Sequence, residues 1–232
     1  MGFKVSRSFL DHITVTAFSL EAGAAFVLEA LGVSPQVGGE HPRMATHNLL
    51  LRLGDAMFLE VIAPNPAVPA PTRPRWFGLD HLGQGSLPSL STWVVRTTDV
   101  GTAVAAASEP LGAVEPVSRG ALNWLITIPA DGSVPLDGTA PALIEWHTQV
   151  HPAANLQDKG LSLAKLEIHH PDPDRVSRLL SSLELEAPVS VLAPAAGAAV
   201  HLIAHINTPR GIRVLSAPNP SLQKDVQQTA RP

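Results

Sequence analysis

The chain is predicted to be an α+β protein built from a repeated β-α-β-β unit, on three observations. An alternating strand pattern opens it, a capped apolar-striped helix follows at once, and the same series recurs further along.

The opening strand is FLDHITVTAF, residues 9–18. Period two places Leu10, His12, Thr14 and Thr16 on one face, and Asp11, Ile13, Val15 and Ala17 on the other. The helix is SLEAGAAFVLEALG, 19–32, with Ser19 as N-cap, an apolar stripe of Leu20, Ala24, Val27, Leu28 and Leu31, and Gly32 as stop. A glycine-rich loop with room for a short strand at 36–46 comes next. Two strands close the unit, NLLLRLG (48–54) and AMFLEVIAP (56–64), joined by a tight Gly54-Asp55 turn.

The second copy begins at STWVVRTTDVGTAVAAASEPLG, 91–112, where Thr92 takes the place of His12 and Asp99 the capping place of Ser19. NWLITIP (123–129) and PALIEWHT (141–148) repeat the strand pair, and this alignment matches Asn123 to Asn48 and Glu145 to Glu60. A third, degenerate copy runs through LAKLEIHHPDPDRVSRLLSSLEL (163–185) and AAVHLIAHINTPRGIRVLSAP (198–218). Helices are therefore expected at about 19–31, 99–111 and 172–184. The organisation is two paired modules within 9–148 (9–64 and 90–148), a strap at 65–89, a third module at 161–218 and a frayed tail at 221–232. The strap is rich in proline and glycine, but its WFGLDHL insert is apolar and suits a lid.

Composition narrows the function classes. With 232 residues, 45% of them hydrophobic, the chain has ample material for a core. A net charge of −4 without a basic stripe argues against nucleic acid and anionic membrane as partners. The absence of cysteine removes disulfides and thiolates from consideration. No apolar run has signal-peptide or membrane-span character, so a cytoplasmic location is expected. Serine-hydrolase, phosphate-loop, dinucleotide and HExxH motifs do not occur.

The strand "LDHI", the helix end "ALG", and above all "HPRMATHNLLLRLGDAMFLEVIAPNP" resemble the vicinal-oxygen-chelate superfamily, in its uncharacterised glyoxalase-like branch. The resemblance implies paired βαβββ modules whose curved, mainly antiparallel sheets form an open barrel, as in glyoxalase and dihydroxybiphenyl dioxygenase. It also implies a divalent metal (zinc, nickel, manganese or iron) held by residues of first and last strands, which here are His12 and Glu60. The residues themselves agree on the faces. His12 lies opposite Ile13 and Val15, and Glu60 interrupts an otherwise apolar strand. A buried carboxylate there needs a cation, a hydrogen-bond donor or a proton.

Thr92 departs from the pattern, because a threonine is no ligand for these metals. His147, two residues beyond Glu145 and on the same strand face, is the substitute ligand. Glu145 is either a further ligand or the catalytic general base. Asn48, Arg96, Asn123 and Trp76 are the candidate substrate-binding residues, with Phe77 and Trp146 as stacking partners. Two functions follow. One is a metal-assisted isomerase or lyase acting on an oxygen-bearing metabolite. The other is a metal-free protein that binds or sequesters a small molecule in the same cleft. In the third copy Lys165, Glu167 and His169 share a face, as do His201 and His205, forming a solvated sheet face or a separate pocket. If that copy lacks a partner, a twofold homodimer is the expected solution. His41, His47, His81, His151 and His170 fall in or beside loops and carry no assigned role.

Overall fold

The computed structural model describes residues 7–217; the expected tail at 221–232 lies outside them. The first module contains β1 (Ser8–Thr16), α1 (Leu20–Leu31), β2 (Gln36–His41), β3 (Thr46–Gly54) and β4 (Met57–Pro64). The second contains β5 (Ser89–Thr97), α2 (Val100–Ala106), β6 (Ala113–Arg119), β7 (Leu122–Ile128) and β8 (Ala142–Trp146). The third contains β9 (Ser162–His169), α3 (Pro173–Ser182), β10 (Leu185–Glu186), β11 (Val189–Leu192), β12 (His201–Thr208) and β13 (Gly211–Ser216).

Each helix starts on the cap its sequence offers. Ser19 accepts from the Ala22 amide, Asp99 from that of Thr102, and Asp172 from that of Arg175. Gly32 ends α1 with φ 71°, and its amide donates to the Leu28 carbonyl at 2.8 Å. Helix α2 is shorter than expected. Its chain turns extended at Ala107, and Pro110 bars a return to helix at Glu109.

The main sheet runs β2-β3-β4-β1-β5-β8-β7-β6, with β10 added to the start of β1. It curls until its edge strands meet. Arg119 of β6 donates to His41 Nε2 of β2 at 3.1 Å, and Arg43 donates to the Pro116 carbonyl at 3.0 Å. The convex side carries the larger core, in which Ile13, Val15, Val27, Leu31, Val95 and Leu183 are all buried. The second sheet, β11-β9-β12-β13, covers that same side with Leu166, Ile168, Leu202 and Leu215. The third module thus buries its apolar face against its own chain, and no second copy is needed to cover it. Its outer face holds Glu167, with Lys165 Nζ at 2.9 Å and the Nε2 atoms of His169 and His205 at 3.3 Å.

Register exposes the internal symmetry. Along β1 and β5, His12 faces Val94, Ile13 faces Trp93 and Thr14 faces Thr92. These pairs exchange on adding eighty, so a local twofold passes through Ile13 and Trp93, and Thr92 is the counterpart of His12. The same offset corrects the other two matches. Thr14 faces Glu60 while Val94 faces Ala142, so Ala142, not Glu145, is the counterpart of Glu60. Likewise Asn48 faces Ile62 and Ile126 faces Ile144, so Ile126, not Asn123, corresponds to Asn48. A slip of three residues is odd, and an odd slip moves a side chain to the opposite face of its strand.

Alternation also breaks at one place in β1. The ladder to β5 shifts between Leu10 and His12, making Asp11 the extra residue of a bulge. Leu10 consequently joins Ile13 and Val15 in the convex core instead of sharing a face with His12.

The concave side holds a second apolar cluster of Met44, Ile62, Val94, Ile126, Ala142 and Ile144. The strap supplies Trp76 and Leu79 to it from a short turn, Trp76–His81. Among the described residues no helix is long and apolar enough to cross a membrane.

Candidate functional site

A cleft of about 450 Å³, open mouth included, occupies the concave side of the curled sheet, between the two modules and the strap. Its polar end is His12, His41, Asn48, Glu60 and Arg119, and its walls are Phe58, Trp76, Phe77, Trp124, Trp146 and Pro152. Three of the four tryptophans of the chain therefore line it.

His12 and Glu60 come together as the faces required. They are 4% and 5% exposed, and His12 Nε2 lies 3.6 Å from Glu60 Oε2. Adjacent β1 and β4 run parallel, which sets the two side chains on one side of the sheet. The His12 ring stacks on Phe58 with centroids 4.4 Å apart. Asn48 Nδ2 donates to Glu60 Oε1 at 2.6 Å, while Asn48 Oδ1 accepts from the Gly39 amide at 2.8 Å and from Arg119 Nη1 at 3.4 Å.

Glycine is required beside that network. A Cβ on Gly38 would lie 2.2 Å from Asn48 Oδ1, and one on Gly39 would lie 2.9 Å from the Arg119 side chain. We expect Gly38→Ala to push Asn48 off Glu60 and to lower stability by about 1–3 kcal/mol, as overpacking does. Urea denaturation measures it, and an unchanged midpoint would show that Asn48 yields freely.

Several functional groups escaped the sequence reading. Asp11 has no exposed surface and gathers three donors. His12 Nδ1 lies 2.6 Å from Oδ1, while Trp146 Nε1 and His151 Nε2 each lie 2.9 Å from Oδ2. Burial alone would raise its carboxyl, but the hydrogen bonds from His12 and His151 outweigh that and hold it well below the usual carboxylate range. His41, buried at the seam, is pushed down to about 3 by burial and by the adjacent Arg119 guanidinium, so it is neutral. Its Nε2 accepts from Arg119, and its Nδ1 donates to Thr46 Oγ1 at 3.2 Å. Burial also lowers Arg119, against the opposing pull of Glu60.

Trp76 and Asn48 line the cleft, whereas four other expected residues do not. Glu145 projects from the opposite face of β8, where Oε2 accepts from the Val100 amide at 2.8 Å. His147 Nε2 pairs with Glu145 Oε1 at 2.9 Å and stands apart from His12 and Glu60. Asn123 is exposed and reaches only the Ala121 carbonyl. Arg96 donates to the Leu10 and Ala56 carbonyls, and its Nη1 lies 4.0 Å from Asp11 Oδ2.

The donor set does not fit a resident divalent ion. Catalytic zinc sites use three protein ligands, and this cleft offers His12 and Glu60, the ring nitrogens of the nearby His41 being taken by Arg119 and Thr46. Their counterparts Thr92 and Ala142 supply no ligand atom of that kind. Among the described residues no group of three His, Cys, Asp or Glu is placed to hold a metal.

Comparison with known proteins agrees with the fold. A hypothetical protein from Staphylococcus aureus superposes over 90% of this chain and 84% of its own, with a TM-score of 0.53 at 12% identity. A mutant of 4-hydroxymandelate synthase from Streptomyces coelicolor covers 92% of this chain and 64% of its own, with a TM-score of 0.47 at 15% identity. A methylmalonyl-CoA epimerase, solved with methylmalonyl-CoA, covers 62% and 97%, with a TM-score of 0.41 at 16% identity. No curated protein matches the chain in sequence. The model of the glyoxalase-like domain family matches residues 10–184, and the chain belongs to that family.

Proposed function

We propose that the protein is a small-molecule enzyme of the glyoxalase-like type, an isomerase or lyase that moves a proton on an oxygen-bearing metabolite. One observation carries the reading: a buried imidazole and a buried carboxylate face each other 3.6 Å apart at the end of an aromatic cleft. At that distance they make no hydrogen bond with each other. A substrate hydrogen brought beside them meets an imidazole nitrogen and a carboxylate oxygen. Asn48 holds Glu60 in place through Oε1, leaving Oε2 turned to His12. The aromatic walls bind the flat or apolar body of the ligand and exclude water from the transfer.

The divalent ion that the family resemblance implies has no adequate ligand set here, and no step is drawn through it. We expect protein purified without chelator or affinity nickel to carry well under one ion per chain by elemental analysis. A stoichiometric ion lost from both His12→Ala and Glu60→Gln would restore the metal reading.

The broken ligand set and the aromatic lining favour a second reading, a protein that binds or sequesters its ligand without turnover. Ligands from a panel of small carbonyl compounds can be found by quenching of the cleft tryptophans and then incubated with protein in D₂O. Deuterium incorporation by the parent, lost in His12→Ala, supports the enzyme. Tight ligands that never exchange support the binding protein.

A further inference from the structure

We propose that Asp11 is the positioning residue of this cleft: it holds a proton on His12 Nδ1 and thereby turns Nε2 to the ligand as the nitrogen that exchanges the substrate proton. The inference rests on the reading of His12 as the group that moves the proton.

Strand geometry alone would separate these two side chains, since neighbours on a strand point to opposite faces. The bulge removes the obstacle. With Asp11 as the unpaired residue, Leu10 and Ile13 both enter the convex core, and Asp11 turns toward the concave side next to His12. Bulges of this kind re-aim side chains beside active sites.

The donors around Asp11 decide the tautomer. An indole N–H can only donate, so Trp146 takes one of the lone pairs of Oδ2. His151 Nδ1 accepts from the Ala153 amide at 3.2 Å, so its Nε2 is the donor to the same oxygen. Oδ1 remains for His12 Nδ1, and a carboxylate can only accept. His12 therefore donates from Nδ1, and Nε2 is left as the nitrogen that faces Glu60 and the cleft.

During transfer the C–H or O–H bond of the substrate breaks and its electron pair stays on the substrate. The proton joins His12 Nε2. Asp11 takes no proton and lies against the imidazolium that forms, as oriented carboxylate–histidine pairs do. The anchors come from beyond the first module, because Trp146 ends β8 and His151 follows it. Trp146 also lines the cleft, so one residue touches both ligand and positioning group.

The test is the ¹⁵N signature of the imidazoles in uniformly labelled protein at neutral pH, with the His12 signals assigned by their loss in His12→Gln. The parent should show a protonated Nδ1 and a bare Nε2. Asp11→Asn keeps the shape but can offer an N–H to His12 Nδ1, and it should shift the proton to Nε2. His151→Gln removes one anchor and should leave the tautomer as in the parent. A parent His12 protonated on Nε2, or mixed between tautomers, overturns the proposal, as does an Asp11→Asn variant that retains Nδ1–H. Should Asp11→Asn fail to fold, the parent spectrum alone decides. An intact Nδ1–H tautomer together with a failed deuterium-exchange assay upholds this proposal and removes the enzyme reading only.

Discussion

Asp11→Ala is expected to cost about 3–5 kcal/mol of stability, the range for stripping one partner from a buried polar network. The truncation strands three donors at once, a buried one on His12 and half-buried ones on Trp146 and His151. Urea denaturation of parent and variant at pH 7 measures the loss. A difference under about 1 kcal/mol, the value of one ordinary hydrogen bond, would mean that water replaces the carboxylate at all three donors.

His41 should make the protein acid-labile in a defined window. Its ordinary value is 6.5 and its folded value is about 3. Between those limits the unfolded chain carries a proton on His41 that the folded chain does not. The unfolded state binds more protons, so stability falls as pH falls, and the loss ends near pH 3 where both states are protonated. The slope from this one group is roughly 1–1.5 kcal/mol per pH unit. His41→Gln can still accept from Arg119 and donate to Thr46, yet it cannot titrate. Denaturation at pH 7, 5.5 and 4 should show a shallower decline in the variant by about that slope. Parallel declines would show that His41 gains its proton without opening the seam.

The parts legible in the sequence were those governed by short-range rules. Alternation marked β1 and β5, capping residues marked all three helix starts, and the offset between His12 and Thr92 survived as the register of the central strand pair. Glu60 was legible because a carboxylate within an apolar strand is costly wherever the strand lies. What failed depended on pairing across the chain. Glu145 and Asn123 were matched by local likeness of strands, and the long connection between β7 and β8 hides the three-residue difference that sends them to other faces. Asp11 was assigned to the helix side because a bulge leaves no mark in a hydrophobic pattern. Arg119 and His41 become partners only when the sheet curls and its edges meet, and no spacing within either segment encodes that meeting.

The local twofold has a consequence for how such a protein can change. Both halves share one pattern of strands, yet His12, Asn48 and Glu60 stand in one, while Thr92, Ile126 and Ala142 hold the mirror positions in the other. Trp76 and Leu79 of the strap plug that quieter half against Val94 and Ala142. The strap therefore supplies part of the cleft wall, Trp76 and Phe77, and none of its polar end. Variation confined to the strap can reshape the cleft while His12 and Glu60 stay untouched, so relatives that keep this pair and take unlike ligands should differ around residues 65–89.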